Sequence, residues 1–158
     1  MKNEFSIRTA FPADLPEILE LFVNTISEVC SKDYTARQIA AWTSSAQNNQ
    51  RWLDKIDREY FLIACHEDQI VGFGSIEDDY LDLMYAQKDF QGRGIASLLL
   101  QNLEAKAVEN SVETIYSHVS KTARPFFEKK GYKVSIEQEN EISGALMTNF
   151  RMQKKLNH

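Results

Sequence analysis

The spacing of hydrophobic residues changes along the chain and divides its first part into predicted elements. Apolar residues recur every three or four positions from Leu15 to Val29, which predicts an amphipathic helix. Asp14 stands at the N-cap position of that helix, and Pro16 falls in its first turn, where proline is tolerated. The first 60 residues are predicted to form a strand at residues 5–8, helices at 15–29, 35–42 and 51–60, and a polar loop at 43–50.

The pattern becomes strand-like at residues 60–86, where three apolar runs are separated by two short polar segments, 66–69 and 77–79. Such breaks predict an antiparallel meander of three strands. The remaining predicted elements are a helix at residues 95–107, a strand at 112–119, and a helix at 123–130 that is ended by a glycine. A closing pair of strands is predicted at 132–137 and 145–152. This order predicts one mixed α/β (α+β) domain over residues 1–158, with about seven strands.

Length and composition fit one globular domain. The chain has 158 residues, of which 43% are hydrophobic and 26% are charged. No apolar stretch approaches the roughly 20 residues that span a bilayer, and the first ten residues lack the apolar segment of a secretory signal. Cys30 and Cys65 have no CxxC spacing and read as reduced thiols. We therefore expect a cytoplasmic protein with no membrane contact.

Charge is distributed unevenly. Residues 1–79 carry 7 Lys and Arg against 14 Asp and Glu, whereas residues 80–158 carry 11 against 9. The acidic total disfavours a general nucleic-acid binder, which needs a broad basic face. The basic residues around positions 121–133 read either as a solvated helix face or as a contact for a phosphate-bearing ligand. No group of His, Cys and acidic residues has metal-ligand spacing, so no metal is expected.

Residues 91–96, QGRGIA, lie between a predicted strand and a predicted helix, as anion sites often do. The first N–H groups of a helix have no intrahelical partner, and the helix dipole is positive there. Gly92 and Gly94 would let an anion approach the backbone, and Arg93 would add charge. A P-loop is excluded because no lysine follows at its spacing, and the dinucleotide fingerprint fails because Ser97 replaces its third glycine.

This segment resembles motif A of the GNAT superfamily of N-acetyltransferases, whose core reads R/Q-x-x-G-x-G/A. Downstream, ARPFFEKKGY at residues 123–132 resembles the family's motif B. The opening IRTAFPADLPEILELF is similar to the usual first strand and helix, so the resemblance covers essentially the whole chain. ARPFFEKKGY and the ending GALMTNFRM are most similar to the YafP-like branch. The resemblance implies a mixed, mostly antiparallel central sheet flanked by helices, in which two neighbouring parallel strands splay apart.

The same resemblance implies how acetyl-CoA, as co-substrate, is bound. The pantetheine arm should pair with the backbone of the strand that ends near residue 86, and the N–H groups of residues 92–97 should hold the pyrophosphate. Ser120 stands where many relatives have an asparagine that touches the cofactor, and Phe127 should lie beside the pantetheine end. The predicted cofactor-binding residues are Met84, Tyr85, Ala86, Gln91, Gly92, Arg93, Gly94, Ile95, Ala96, Ser97, Ser120 and Phe127.

The family's chemistry is direct attack of an amine on the thioester in a ternary complex, with a backbone N–H near Met84 or Tyr85 stabilising the oxyanion. Asp82 is the predicted catalytic base, with Tyr80 as its weaker neighbour. Strand alternation puts Tyr80, Asp82 and Met84 on one face, and a carboxylate in an apolar strand is costly unless it is solvated or paired. The alternative is that Asp82 makes a structural hydrogen bond or binds the substrate ammonium.

One position departs from the family pattern. Many relatives protonate the departing thiolate with a motif B tyrosine, and Phe127 occupies that position here. The proton then comes from water, from Tyr132 or Tyr85, or its transfer is unassisted. The missing hydroxyl keeps a second hypothesis open, an acyl-CoA-binding sensor or scaffold with little turnover, and a nucleotide enzyme is a third. The acceptor is expected to be an amine of a small molecule or peptide, and the protein a monomer or homodimer.

Overall fold

A seven-stranded sheet forms the centre of the molecule in the computed structural model, which describes residues 5–156. The strands are β1 (Ser6–Thr9), β2 (Tyr60–His66), β3 (Gln69–Glu77), β4 (Tyr80–Ala86), β5 (Thr114–Ser120), β6 (Lys133–Ile142) and β7 (Ala145–Lys155). The α-helices within that range are α1 (Leu15–Val29), α2 (Ala36–Thr43), α3 (Asn49–Arg58), α4 (Ile95–Glu109) and α5 (Arg124–Lys129). Residues 1–4 and 157–158 of the predicted domain lie outside the described residues.

The strands are arranged in the order β1-β2-β3-β4-β5-β7-β6. Neighbours run antiparallel except β4 and β5, which run parallel and are joined through α4. A parallel pair needs such a crossover, because a short turn can only reverse the chain. The predicted mixed, mostly antiparallel sheet with one parallel pair is confirmed.

Helices cover both faces of the sheet and bury two apolar cores. On one face, Leu99 and Leu103 of α4 are fully buried against the sheet. On the other, Phe22 of α1 and Trp52 of α3 pack together with a ring-centroid distance of 4.8 Å. Central strands buried on both faces read as continuous apolar runs rather than alternating ones. This explains the unbroken hydrophobic segments of β2 and β3.

Two segments differ from the sequence prediction. The predicted loop 43–50 contains a 3₁₀ turn at Ser44–Gln47, and α3 begins earlier than predicted because the Asn48 side chain accepts a hydrogen bond from Arg51 N at 3.2 Å and caps the helix. The closing hairpin is longer than predicted. Its turn places Ser143 and Gly144 at positive φ, the backbone geometry of tight hairpin turns.

The hairpin tip reaches back to α2 and holds it against the sheet. Arg37 Nη2 donates to Gly144 O at 3.1 Å, and the hydroxyls of Ser44 and Ser143 lie 3.0 Å apart.

Within the described part of the chain, every helix is too short or too polar to cross a bilayer. Cys30 and Cys65 are buried free thiols.

Candidate functional site

The parallel strands β4 and β5 separate shortly after they meet. Their pairing begins with Tyr80 opposite Tyr116 and ends with Leu81 opposite Ser117. Ser117 Oγ donates a hydrogen bond to Leu81 O at 2.7 Å and closes the paired end. Beyond this point the strands diverge, so backbone groups of β4 face open space. The predicted splayed pair is therefore present.

A β-bulge interrupts β4 at the point where the strands separate. On the neighbouring strand β3, Ser75 lies opposite Leu83 and Ile76 lies opposite Leu81. Asp82 is therefore the extra residue of the bulge and has no pairing partner on β3. The bulge changes which side chains share a face.

The predicted alternation along β4 is right for Tyr80 and Asp82, which line the same hollow. It is wrong for Met84, which packs on the α4 face. Leu83 and Tyr85 pack on the other face, with the core under α1 and α3. The physical reason is the bulge, because one extra residue shifts a period of two by one position.

A cleft of about 470 Å³ opens between the separated strands, and we call it the strand cleft. The start of α4 and the α5 region complete its walls. The predicted cofactor-binding residues that line it are Met84, Tyr85, Ala86, Gln91, Gly92, Gly94, Ile95, Ala96, Ser97, Ser120 and Phe127. Arg93 lies on the same turn, and its guanidinium stacks over the rings of Phe5 and Phe90 at 5.8 and 4.9 Å.

The turn before α4 exposes backbone to the cleft. Gly92 and Gly94 have φ of 79° and 87°, a left-handed conformation that favours glycine. A Cβ built on either would meet no atom of the described residues within 4 Å, so the backbone there is bare. Leu98 N donates to Gly94 O at 2.9 Å, and the N–H groups of the residues between them belong to the first helical turn. This geometry suits a bound anion.

The far wall of the strand cleft is formed by the end of β5 and the start of α5. Ser120 Oγ accepts a hydrogen bond from Ala123 N at 3.1 Å and steadies the turn into α5. Phe127 is buried and packs edge-on against Tyr132. The Tyr132 hydroxyl donates to Glu104 Oε2 at 2.6 Å, and burial with that carboxylate raises its pKa. Of the two predicted proton donors, Tyr85 is the one that lines the cleft.

A second hollow of about 320 Å³ lies on the other side of β4, and we call it the aromatic pocket. Its ring-bearing walls are Phe22, Tyr34, Trp42, Trp52, Tyr80, Tyr85 and His118. Asp82 and Tyr85 line both hollows, so the two meet at the bulge of β4.

Three charged side chains, Lys55, Glu59 and Asp82, form one cluster that we call the acid cluster. Lys55 and Asp82 line the aromatic pocket, and Glu59 is buried beside them. Lys55 Nζ donates to Asp82 Oδ2 and lies 3.7 Å from Glu59 Oε2. Ser75 Oγ donates to Glu59 Oε1 at 2.8 Å. Only 2% of the Glu59 side chain and 11% of the Asp82 side chain are exposed. Burial first, and then the neighbouring Asp82, raise the pKa of Glu59 to about 7.

Sequence reasoning missed Lys55 and Glu59. The available signal was an opposite-charge pair at i and i+4 next to the buried residues Trp52 and Ile56. On most helices such a pair is a solvent-exposed salt bridge. Here Glu59 follows the last residue of α3 and is carried inward with the start of β2.

Tyr80 lies beside the acid cluster and stacks on β5. Its ring centroid is 5.0 Å from that of Tyr116 and 5.6 Å from that of His118. Burial, followed by the negative charge of Asp82, raises the pKa of Tyr80. Its hydroxyl is therefore neutral near pH 7 and can donate or accept a hydrogen bond. Among residues 5–156, no three His, Cys, Asp or Glu side chains are grouped to hold a metal ion.

Comparison with known proteins places this geometry in a family context. The sequence model of a family described as acetyltransferase (GNAT) domain matches residues 30–155. A curated Escherichia coli protein, the uncharacterized N-acetyltransferase YafP, is 32% identical over 156 residues, which is 99% of each chain. A crystal structure of a GCN5-related N-acetyltransferase from Rhodopseudomonas palustris superposes with a TM-score of 0.95 at 27% identity, covering 99% of this chain and 98% of that one. PaiA N-acetyltransferase from Thermoplasma acidophilum, in complex with coenzyme A, gives 0.79 at 21% identity, covering 99% and 100%.

Proposed function

The chain belongs to the GNAT family of acetyltransferases, in its YafP-like branch, and we propose that it transfers an acetyl group from acetyl-CoA to a primary amine of a small molecule or peptide. The reaction proceeds by direct attack in a ternary complex. The observation that carries this proposal is the bare backbone turn from Gly92 to Ser97, which opens on a cleft that meets a second pocket at Asp82. The complex of PaiA with coenzyme A supports the choice of co-substrate.

In this proposal the strand cleft holds acetyl-CoA. The pyrophosphate accepts hydrogen bonds from the N–H groups at the start of α4, and the helix dipole adds to their attraction. The pantetheine arm follows the backbone of residues 84–86, where β4 pairs with β3 on one side but no longer with β5 on the other. Ser120 and Phe127 contact it from the opposite wall. The thioester then lies near the bulge, within reach of the aromatic pocket.

The amine enters from the aromatic pocket and meets the thioester beside Asp82. Asp82 takes a proton from the ammonium, and the neutral nitrogen attacks the carbonyl carbon. A backbone N–H near Met84 or Tyr85 stabilises the tetrahedral oxyanion. The C–S bond breaks with its electron pair on sulfur, and the second proton of the nitrogen reaches the thiolate through water or through the Tyr85 hydroxyl. Tyr80 orders Asp82 and water at this point.

Release of coenzyme A, measured with acetyl-CoA and a panel of polyamines, amino acids, aminoglycosides and peptides, tests the proposal. Amine-dependent release is expected with at least one member. A second candidate function is an acyl-CoA sensor, which is favoured by the phenyl ring of Phe127 at a position where relatives often carry a proton donor. Calorimetric binding of acetyl-CoA without release for any amine would select the sensor. ATP or NAD raising the Tm more than acetyl-CoA would contradict both.

We also propose the setting in which this activity occurs. Residues 1–158 form one domain, which works in the cytoplasm as a monomer or homodimer without nucleic-acid or membrane partners. The negative net charge of −5 supports the lack of a nucleic-acid partner. Light scattering of the purified protein with and without acetyl-CoA measures the oligomeric state directly.

A further inference from the structure

We propose that Glu59 is a positioning residue that sets the basicity of Asp82, so that the acid cluster accepts the proton of the acceptor amine as one unit. This inference rests on the proposed function and deepens it, because the proposed base Asp82 is not an isolated carboxylate. Its partner comes from a different part of the chain.

The geometry ties the two carboxylates to one cation. Lys55 donates to Asp82 and lies 3.7 Å from Glu59, so a single ammonium serves both. Glu59 is held from its other side by the Ser75 hydroxyl. The Glu59 side chain is almost completely buried, whereas Asp82 opens onto both hollows. Glu59 therefore cannot reach a substrate and can act only through Asp82 and Lys55.

Polar and charged groups from three elements face Glu59. They are Lys55 and Arg58 of α3, Ser75 of β3, and Tyr80 and Asp82 of β4. Arg58 Nη2 lies 3.7 Å from Glu59 Oε2, but the same arginine is more than half exposed and pairs with Glu77. Its effect on Glu59 is therefore screened by solvent and shared. Asp82 is the acidic neighbour that acts most strongly on Glu59.

The ionisation of Glu59 then changes what Asp82 can do. When Glu59 is ionised, two carboxylates share the charge of Lys55, and the added negative charge makes Asp82 a stronger base. When Glu59 is protonated, Lys55 balances Asp82 alone, and Asp82 is a weaker base. Because burial and Asp82 raise the pKa of Glu59 to about 7, this change falls in the physiological range.

The proton balance of the reaction is complete with this unit. One proton moves from the substrate ammonium to a carboxylate oxygen of Asp82, and the neutral nitrogen forms the new C–N bond as the C–S bond breaks. The second nitrogen-bound proton passes through water to the thiolate. Asp82 then returns its proton to solvent. Glu59 forms no bond to substrate in any step.

The test compares kcat of Glu59→Gln with that of the original enzyme across pH, with acetyl-CoA and 2-phenylethylamine, an amine that the aromatic pocket can surround. The ionisation of the amine affects both enzymes equally and cancels in the ratio. The ratio should be near 1 at about pH 6, where Glu59 is already neutral, and should fall to about one tenth at about pH 8.5. Glu77→Gln is the matched control, since it removes the same charge beside Arg58 but outside the acid cluster, and its ratio should stay flat.

A loss that is equal at all pH values would overturn the proposal, because a merely structural role has no reason to vary with pH. Ser75→Ala gives a second measurement if Glu59→Gln folds poorly. It removes a hydrogen bond that favours the ionised carboxylate, so the acid limb of kcat should move to higher pH. An unmoved limb would also contradict the proposal.

Carbon NMR titration of the glutamate carboxyl groups tests the ionisation of Glu59 independently of the proposed acetyltransferase activity. One glutamate, absent from the Glu59→Gln spectrum, should titrate near neutral pH in the complete protein. If 2-phenylethylamine gives no turnover with either enzyme, that result counts against the proposed function, and the titration alone decides whether the shared ionisation exists. A Glu59 carboxyl that titrates at the ordinary value for glutamate would overturn the inference.

Discussion

The strand cleft and the aromatic pocket share one strand but are built from different parts of the polypeptide. Along the turn from Gly92 to Ser97, the cleft presents backbone that is bare at Gly92 and Gly94, because these two residues lack side chains. The aromatic pocket presents side chains, and two of them, Lys55 of α3 and Asp82 of β4, belong to the acid cluster. A backbone site tolerates any sequence that keeps the turn, whereas a side-chain site depends on each residue. Coenzyme binding and proton transfer should therefore fail separately.

Replacing Gly94 with Val should cause the largest effect, a loss of acetyl-CoA binding that leaves the fold intact. The left-handed φ of 87° strains any residue with a Cβ, and the new side chain would stand where the pyrophosphate is proposed to bind. We expect acetyl-CoA affinity, measured by calorimetry, to fall at least about a thousandfold, since hydrogen bonds to charged groups are each worth about 1.5–3 kcal/mol. Circular dichroism should show an intact fold.

Gly144→Val is the matched control for backbone strain. Gly144 has a similar φ of 83°, but it lies in the turn of the β6–β7 hairpin. It should lose stability to a similar extent and keep its acetyl-CoA affinity. Equal affinity losses in the two variants would show that strain, and not the bare turn, explains the result.

Asp82→Asn should have the opposite effect, a loss of turnover without a loss of acetyl-CoA binding. The amide cannot take a proton, so kcat should fall about a hundredfold while acetyl-CoA affinity changes little. Asp79→Asn removes the same charge from the turn that precedes β4 and should leave kcat nearly unchanged. An Asp82→Asn enzyme with full turnover would leave Asp82 with a structural or ammonium-binding role.

The stability of Glu59→Gln should respond to pH in a defined direction. The folded-state pKa of Glu59, about 7, lies above its ordinary value of 4.5, so the folded state retains a proton that the unfolded state releases. The stabilisation is complete below the ordinary pKa and is lost as pH rises through about 7. Gln has no such loss. Between about pH 5 and pH 8.5, the variant should therefore gain about 2 kcal/mol relative to the original chain.

Chemical denaturation at these two pH values measures the difference, with Glu77→Gln as the control that should show little change. An unchanged difference between Glu59→Gln and the original chain would mean that Glu59 ionises in the folded protein at the same pH as in the unfolded one.

Ser120→Ala should give the smallest effect. Loss of the Ser120 hydroxyl frees the Ala123 N–H and loosens the turn into α5, which costs about 1 kcal/mol of stability. Because this turn forms one wall of the strand cleft, acetyl-CoA affinity should fall a few-fold. Ser135→Ala removes a comparable hydroxyl bond, to Arg151 O on the β6–β7 hairpin, and should not affect affinity.

The sequence predicted the local features of the molecule. The glycine turn was found because residues 91–96 are contiguous and their spacing dictates their geometry. The central strands were found because burial on both faces leaves long apolar runs. The family and its branch, predicted from the motif resemblance, are confirmed by the matches over residues 30–155 and over 99% of the chain.

The acid cluster was not predicted because its members come from separate elements. Lys55 and Glu59 are 27 and 23 residues from Asp82 along the chain, and their i, i+4 spacing does not indicate that Asp82 joins them. The bulge in β4 was also missed. Its signal is a register change against β3, which becomes visible only when the two strands are paired, and this led to the wrong face for Met84.

Because of the same bulge, Asp82 takes no part in the pairing between β3 and β4. Leu81 and Leu83 lie opposite Ile76 and Ser75, which are adjacent on β3, so the ladder would close without a gap if residue 82 were deleted. Such a shortened chain should keep every other side chain of β4 on its present face while losing the proposed proton acceptor. In this strand, the proposed base is an extra residue that the pairing with β3 does not use.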